Sequence, residues 1–208
     1  MKKLALLGAG GHARVIADLA LVSGWSSVSF FDDAWPEKSK NGDWEVAGTA
    51  LMLIENASSF DGVVVAIGDC DTRCKMQQQL NNVDAPLVTI IHPSACVSPR
   101  ANLGVGIVVM ANAVINAFAS LGEGCVVNSG AIIEHDCNIG DFVHIAPGVT
   151  LSGTVTVGSR TWIGAGSTVR QGETIGKNVM VGAGSVVVKP VPDGLTVVGC
   201  PAMPLVKG

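Results

Sequence analysis

Aliphatic residues recur at every sixth position through the second half of the chain. The sixteen positions are Val97, Leu103, Val109, Ile115, Leu121, Val127, Ile133, Ile139, Ile145, Leu151, Val157, Ile163, Val169, Ile175, Val181 and Val187. A small or polar residue follows most of them, and a mostly small residue stands four places after each. A helix repeats about every 3.6 residues and a strand every second residue, so neither element explains this pattern.

A fixed six-residue period predicts a parallel β-helix. Three hexads would form one triangular coil, with the aliphatic side chains inward and successive coils about 4.8 Å apart. We expect glycines such as Gly104 and Gly158 to serve the corners, where a positive φ costs least. Cys125 and Cys137 occupy small inward positions, so packing explains them better than reactivity. Glu173 occupies another such position and breaks the pattern.

The first half of the chain alternates short apolar runs with amphipathic segments. The predicted elements are a strand over 4–7, a helix over 14–22, a second strand that ends in Phe30-Phe31-Asp32-Asp33, a third strand over 63–67 and a helix over 72–80. This alternation predicts a βαβ series, in which a ligand crevice lies at the carboxyl ends of the strands.

Glycines follow the first strand in the turn Gly8-Ala9-Gly10-Gly11-His12-Ala13. The turn is close to the G-x-G-x-x-A fingerprint of dinucleotide-binding folds. The pair Asp32-Asp33 ends the second strand where such folds place an acid, and Gly68 follows the third strand. Backbone N–H groups at the start of a helix can hold a phosphate.

The segment 1–88 has room for only one mononucleotide-binding half, and this favours a nucleotide-sugar site over NAD. Arg14 and Arg73 stand close to the predicted helix starts. They would either help to hold a phosphate or be solvated surface residues.

Composition narrows the function classes. The net charge of −4 gives no sign of a general affinity for nucleic acid or anionic membranes. No apolar run approaches the roughly 20 residues that cross a bilayer, and the apolar start is broken at once by glycines and charges. We therefore expect a cytoplasmic protein without membrane insertion, with six reduced cysteines. The cysteines show no CxxC spacing, and this argues against a zinc site.

The segment Glu134-His135-Asp136 concentrates ionisable residues in a chain with 14% charged residues. Histidine is the natural general base near neutral pH. Neighbours in a flat strand point to opposite faces, so His135 and Asp136 can meet only where the backbone turns at a coil corner. One coil further, Gly153 would lie beside His135, leaving room for a thioester and baring an N–H for an oxyanion.

Pro147, Ala165 and Ala183 form another predicted column, since they are one coil apart in turn. An extended pantetheine arm could run along such compact residues. His144 lies half a coil from His135, so the two would face opposite sides of one chain. They could share a site only if it lies between two subunits.

The repeat resembles the left-handed β-helix of the hexapeptide acyltransferases, and the closing Val-Gly-Cys-Pro-Ala of residues 198–202 is similar to that family's Gly-x-Pro-Ala end. The glycine turn and aspartate pair resemble bacterial sugar acetyltransferases that modify nucleotide-linked amino sugars or sialic acid. The resemblance covers essentially the whole chain. It implies an α/β Rossmann-like half domain over 1–88, followed by an all-β left-handed parallel β-helix over 89–208.

The resemblance also implies roles for individual residues. His135 would be the catalytic base and Asp136 its partner. Acetyl-CoA, the implied co-substrate, would contact His144, Ala165 and Ala183, and we add Gly153. The positions that match nucleotide-sugar contacts are Gly10, Gly11, His12, Asp32, Asp33 and Gly68. Flat faces suited to three-fold packing indicate a homotrimer with sites between subunits.

The expected function is therefore N-acetylation of a nucleotide-linked 4-amino-sugar, without a metal. The alternative is O-acetylation of sialic acid or another sugar hydroxyl. Three other interpretations fit less well. An inert scaffold does not explain Glu134-His135-Asp136, and a three-histidine zinc enzyme lacks its third histidine in the repeat. A dehydrogenase leaves the second half unexplained.

Overall fold

A computed structural model describes residues 1–205. The chain divides into two compact units, Met1–Pro93 and the chain from Ser94 onward. The first unit thus ends at Pro93, slightly later than the predicted boundary after residue 88. None of the helices among residues 1–205 is long and apolar enough to cross a membrane.

The first unit is a sheet with helices. Its elements are β1 (Lys3–Leu7), α1 (Gly11–Val22), β2 (Ser27–Phe31), β3 (Lys40–Asn41), β4 (Trp44–Gly48), α2 (Ala50–Glu55), a 3-10 turn (Ala57–Ser59), β5 (Gly62–Val65), α3 (Cys70–Asn81) and β6 (Ile90–Ile91). The strand order is β3-β4-β2-β1-β5, and β6 is not a strand of this sheet. All pairs are parallel except the β3–β4 hairpin. The carboxyl ends of β1, β2 and β5 therefore share one edge.

The buried apolar side chains of this unit belong to the strands and helices that the sequence predicted. Leu4 to Leu7 are at most 2% exposed, as expected for a central parallel strand. Helix α1 buries one face, which includes Ile16 and Leu19. Helix α3 begins where Asp69 caps it, because its carboxylate accepts hydrogen bonds from the Thr72 N–H at 2.8 Å and the Thr72 hydroxyl at 2.6 Å.

The second unit is a parallel β-helix with three faces. The first face holds the strands Cys96–Val97, Val114–Ile115, Ile132–Ile133, Thr150–Leu151, Thr168–Val169 and Val186–Val187. The second face holds Asn102–Leu103, Ser120–Leu121, Asn138–Ile139, Thr156–Val157 and Thr174–Ile175. The third face holds Val108–Val109, Val126–Val127, His144–Ile145, Trp162–Ile163, Met180–Val181 and Thr196–Val198. Met203–Pro204 pairs antiparallel with Thr196–Val198. This is the expected left-handed fold class.

The predicted register is confirmed: Ile133 pairs with Leu151, and Ile139 with Val157, each one coil apart. Every aliphatic position of the repeat from Val109 to Val187 is at most 3% exposed. Burial of each such side chain contributes about 1.5–3 kcal/mol, so the interior column stabilises the solenoid. Cys125 and Cys137 point into this core, as predicted.

The prediction for the glycines that follow the aliphatic positions was wrong. A Cβ on Gly158 would lie 2.5 Å from the Lys177 nitrogen, and one on Gly164 would lie 2.6 Å from the Ala183 nitrogen. These glycines are needed for the close approach of neighbouring coils. The positive φ values occur later in each hexad, for example at Gly148 and Asp136.

Glu173 is only 4% exposed and points into the small-residue column. Nη2 of Arg170, three residues earlier, donates a hydrogen bond to its carboxylate. The pair accounts for an acid that the repeat pattern left unexplained.

Candidate active site

His135 and Asp136 meet at the corner between the first and second faces. Nδ1 of His135 lies 2.7 Å from Oδ2 of Asp136. Asp136 has a φ of 58°, so the backbone turns at this corner and brings adjacent side chains together, as the sequence required. The side chains are 60% and 53% exposed and so accessible from solvent. With Nδ1 as the donor in this contact, the Nε2 lone pair is left available as a base.

Gly153 lies directly under the His135 ring. A Cβ built on Gly153 would be 2.6 Å from His135 Nε2 and 2.7 Å from Cε1. The space was expected to admit a thioester; here the imidazole itself fills it. The Gly153 N–H has no hydrogen-bond partner among the residues described, while its carbonyl accepts from Gly172 at 3.0 Å. It is therefore a donor beside the candidate base.

Glu134, the third ionisable residue of this segment, turns away from the pair toward the preceding coil. Its Oε2 accepts a hydrogen bond of 2.9 Å from Nδ2 of Asn116. Sequence reasoning did not find this contact, although the one-coil separation of the two residues was a usable signal.

The Ala165 and Ala183 column lies at the corner between the third and first faces. Both residues are exposed, as is Pro147 below them. Backbone bonds of 2.8 and 2.9 Å hold the column in step, from Gly184 to Ala165 and from Gly166 to Pro147. The predicted stacking of these compact residues, one coil apart, is confirmed.

His144 lies on the third face and is only 3% exposed. Its ring stacks on Trp162 of the next coil, with centroids 3.9 Å apart, and its Nε2 lies 3.3 Å from Nδ2 of Asn128. His144 and His135 therefore occupy different parts of one chain, as the half-coil spacing predicted.

In the first unit, a cavity of about 200 Å³ opens at the carboxyl ends of β1, β2 and β5. Its lining residues are Leu7, Gly8, Phe31, Asp32, Asp33, Ala50, Ile67, Thr72 and Met76. A larger cavity of about 550 Å³ shares Asp33, Ala50 and Met76 with it. The crevice lies where a βαβ fold binds its ligand.

The three glycines of the turn differ in whether the fold requires a glycine at their position. Gly8 has a φ of 109°, and a Cβ there would lie 2.8 Å from Ile67 Cγ1, so the fold requires it. Gly10 and Gly11 are exposed, and a Cβ on either would meet nothing within 4 Å. The fold itself does not require glycine at Gly10 and Gly11, so their lack of side chains leaves the backbone open to a ligand.

The aspartate pair holds backbone groups of its own unit. Asp32 accepts hydrogen bonds from the N–H groups of Ala9 at 2.6 Å and Ala34 at 3.0 Å. Asp33 accepts one from Ala50 at 2.9 Å. Asp32 thus fixes the glycine turn, a positioning role that the sequence did not separate from ligand contact.

Two residues that the sequence did not single out also hold the turn. Lys38 Nζ donates to the Ala9 carbonyl, and Asn41 Nδ2 donates to the Gly10 carbonyl at 3.1 Å. Asn41 belongs to the β3–β4 hairpin, whose Asn41-Gly42 dipeptide was an available turn signal. Lys38 places a positive charge beside the turn.

Arg73 is 1% exposed, so of its two interpretations the solvated surface residue is wrong. Its Nη1 donates to the carbonyls of Ile67 at 3.0 Å and Gly68 at 2.7 Å. Burial, together with the Arg73 charge, lowers the pKa of His12 from 6.5 to about 4. His12 is therefore a neutral imidazole at physiological pH. Arg14, by contrast, is exposed.

The similarity to known proteins covers both units. Residues 3–80 match the PglD N-terminal domain, and residues 118–153 and 154–189 match the bacterial transferase hexapeptide (six repeats). The acetyltransferase domain of PglB from Neisseria gonorrhoeae FA1090 is 42% identical, over 99% of this chain and 100% of that chain, with a TM-score of 0.92. The chain belongs to the hexapeptide-repeat sugar acetyltransferase family.

Two other relatives show the range of this family. PerB from Caulobacter crescentus, solved in complex with CoA and GDP-perosamine, is 36% identical over 100% of this chain and 98% of that chain, with a TM-score of 0.93. UDP-N-acetylbacillosamine N-acetyltransferase from Bacillus subtilis (strain 168) is 37% identical over 114 residues, or 53% of this chain. That alignment spans 52% of the relative's length.

Proposed function

We propose that the chain is an acetyl-CoA-dependent N-acetyltransferase, which acetylates the amine of a nucleotide-linked 4-amino-sugar by direct transfer. The observation that carries the proposal is the exposed His135–Asp136 pair, 2.7 Å apart, with Nε2 directed over Gly153. The related PerB was solved with CoA and GDP-perosamine, and the related PglB acetyltransferase domain with acetyl coenzyme A.

His135 acts as the general base. Asp136 accepts the Nδ1–H and stabilises the imidazolium that forms. The neutral sugar amine attacks the thioester carbonyl carbon, and Nε2 takes the proton that the amine loses. The Gly153 N–H stabilises the oxyanion of the tetrahedral intermediate. When the C–S bond breaks, the imidazolium returns the proton to the departing CoA thiolate, and His135 is neutral again.

The two units supply different parts of the binding. The glycine turn, His12, Asp32, Asp33 and Gly68 form the nucleotide-sugar crevice. Open N–H groups at Gly10 and Gly11 receive the diphosphate, and the neutral His12 serves as a hydrogen-bonding group and not as a cation. Among the residues described, no group of three or more His, Cys, Asp or Glu side chains could hold a metal ion, and the proposed chemistry needs none.

The second unit supplies the acetyl-CoA site. The Ala165 and Ala183 column holds the pantetheine arm, and Gly153 borders the thioester. His144 lies on another face of the same chain, so it joins a given His135 from the neighbouring subunit of a homotrimer. The active sites thus lie between subunits.

A substrate panel tests the proposal. The purified protein is incubated with acetyl-CoA and UDP-, GDP- or dTDP-linked 4-amino-4,6-dideoxy sugars, with the matching 4-hydroxy sugars and sialic acid as controls. CoA release and the mass of the product are followed together. We expect acetylation of at least one amine. Turnover of a hydroxyl sugar or sialic acid, with none of the amines, would show O-acetylation instead.

A further inference from the structure

The segment that leads into the β3–β4 hairpin holds two neighbouring carbonyl groups of the glycine turn. Nζ of Lys38 donates a hydrogen bond to the Ala9 carbonyl, and Nδ2 of Asn41 donates one to the Gly10 carbonyl at 3.1 Å. Asn41 is only 5% exposed, so its amide faces the chain and not solvent. Two side chains, three residues apart, thus hold consecutive peptide groups of the turn.

These two contacts also set the direction of two N–H groups. The Ala9 carbonyl shares its peptide plane with the Gly10 N–H, and the Gly10 carbonyl shares its plane with the Gly11 N–H. Both peptides are trans, so the C=O and the N–H of each plane point in opposite directions. The N–H groups of Gly10 and Gly11 therefore point away from Lys38 and Asn41. Neither N–H has a hydrogen-bond partner among residues 1–205.

The hairpin is a firm support for the turn, because it is anchored on two sides. Its second strand, β4, pairs with β2 in the parallel sheet. Its tip packs against α1, since a Cβ on Gly42 would lie 3.6 Å from Cδ of Arg14. Asp32 completes the arrangement by accepting the Ala9 N–H at 2.6 Å. Both backbone groups of Ala9 are thus held by side chains.

Glycines in the turn make such support necessary. A glycine adopts several backbone conformations at little cost, so Gly10 and Gly11 do not themselves decide which way their peptide planes face. If either plane turned over, a carbonyl oxygen would face the crevice in place of an N–H and would repel an anion. Binding would then include the cost of turning the plane back.

We infer that Lys38 and Asn41 are positioning residues for the diphosphate of the nucleotide sugar: by holding the carbonyls of Ala9 and Gly10, they direct the N–H groups of Gly10 and Gly11 at the phosphates. This inference rests on the proposed function, which places the diphosphate on these N–H groups. Lys38 and Asn41 lie on the carbonyl side of the turn, so they act through the backbone and do not touch the phosphates.

Competitive inhibition tests the inference. The probes are UDP, GDP or dTDP, whichever inhibits the wild-type protein most strongly, and the matching nucleoside, which has no phosphate. Lys38→Met and Asn41→Ala should each raise the Ki of the diphosphate about 5- to 20-fold, the effect of a weakened hydrogen bond to an ionised group. The Ki of the nucleoside should not change, because it has no anion for these N–H groups. KM for the amino-sugar nucleotide should rise with the Ki of the diphosphate, while kcat and KM for acetyl-CoA stay constant.

Two further variants serve as controls. Lys38→Arg keeps a donor for the Ala9 carbonyl and should stay near the wild-type values. Lys40→Met removes a positive charge from the same hairpin, at an exposed side chain that makes no hydrogen bond or ion pair within the described part of the chain. It should leave all constants unchanged. Thermal unfolding verifies that each variant is folded, and Asn41→Leu, which keeps the volume, replaces Asn41→Ala if that variant does not fold.

Three results would overturn the inference while the proposed function stands. The first is an unchanged Ki of the diphosphate in folded Lys38→Met and Asn41→Ala. The second is an equal loss for the diphosphate and the nucleoside, which would mean that the hairpin shapes the whole crevice. The third is a loss confined to Lys38→Met, which would mean that the ammonium group acts by its charge and not through the turn. A wild-type protein that acetylates no nucleotide-linked amine would overturn the proposed function, and this inference with it.

Discussion

The His135 imidazole rests on the bare backbone of Gly153, one coil away, so closely that a single added carbon would meet Nε2 at 2.6 Å. Asp136 holds the opposite ring nitrogen at 2.7 Å. The Asp136 carboxylate thus holds the ring on one side, and on the other side the missing side chain of Gly153 leaves the room that the ring occupies. A base fixed in this way presents its lone pair in one direction, and general-base catalysis depends on that direction.

Gly153→Ala should therefore lower kcat about 100-fold, because the ring must move by roughly an ångström. Stability should change by less than about 0.5 kcal/mol, since the exposed ring can rotate into solvent. Ser152→Ala, at the neighbouring position, is the control and should keep wild-type kcat. Measurement of kcat and of chemical unfolding on the same samples separates the two effects.

A double-variant cycle shows whether Gly153 acts through His135. His135→Ala alone should lower kcat by roughly 100- to 10,000-fold. If the glycine only positions the ring, adding Gly153→Ala to His135→Ala should cause no further loss. A full additional loss in the double variant would mean that the added methyl group also blocks the thioester or its approach to the Gly153 N–H, independently of His135.

The solenoid could be predicted from the sequence almost residue by residue, because its contacts repeat at a fixed separation along the chain. The register alone predicts that His135 lies beside Gly153. The same rule would have stacked His144 on Trp162. The first unit was harder to predict. Its β3–β4 hairpin and α2 are too short for a hydrophobic period, and the Asn41-Gly42 turn was the available signal. Arg73 could not be placed, because its burial depends on carbonyls at the end of β5 and not on its own helix.

The glycines of the first unit should separate stability from binding. Gly11→Ala adds a methyl group in open space at the start of α1, so stability should be unchanged or rise by about 0.5–1 kcal/mol. KM for the nucleotide sugar should rise roughly tenfold as the backbone becomes less accessible, and KM for acetyl-CoA should not change. Gly8→Ala is the contrast, because its φ of 109° and the 2.8 Å contact with Ile67 Cγ1 should cost about 1–3 kcal/mol of stability. If Gly11→Ala weakened both substrates equally, the assignment of the crevice would be wrong.

His12 should make stability depend on pH. Its pKa is lowered from 6.5 to about 4 in the folded chain, so the unfolded chain takes up a proton first as the pH falls. Stability should therefore decrease between pH 6.5 and 4, and His12 should account for about 3 kcal/mol of that decrease. His12→Gln should flatten this part of the profile relative to the wild type. Urea unfolding at several pH values without ligand measures both, and identical slopes for wild type and His12→Gln would contradict the expectation.

Replacing Arg170 and replacing Glu173 should have unequal effects on the stability of the folded chain. Arg170→Ala leaves a buried carboxylate without its partner and should cost about 1–3 kcal/mol, less than for a fully buried pair because Arg170 is 54% exposed on its side chain. Glu173→Val removes the buried charge and restores the aliphatic type found at Val155 one coil earlier, so it should be neutral or stabilising. Denaturant midpoints at pH 7 give the comparison. Equal destabilisation by the two changes would mean that the carboxylate has a further role inside the coil.

Subunit mixing tests the proposed shared site. The trimer should appear in light scattering as three times the mass of the chain. His144→Gln removes the ring that stacks on Trp162 and, like His135→Ala, should leave each pure variant nearly inactive. In a trimer that contains both variants, one interface joins an intact His135 to an intact His144. Random mixing in equal amounts should therefore restore about a quarter of the wild-type activity, since three-quarters of the trimers are mixed and each has one intact site of three. Exchange is verified by native mass spectrometry with a tagged variant. Full activity in a monomer, or no recovery in verified mixed trimers, would place both histidines' functions within single chains.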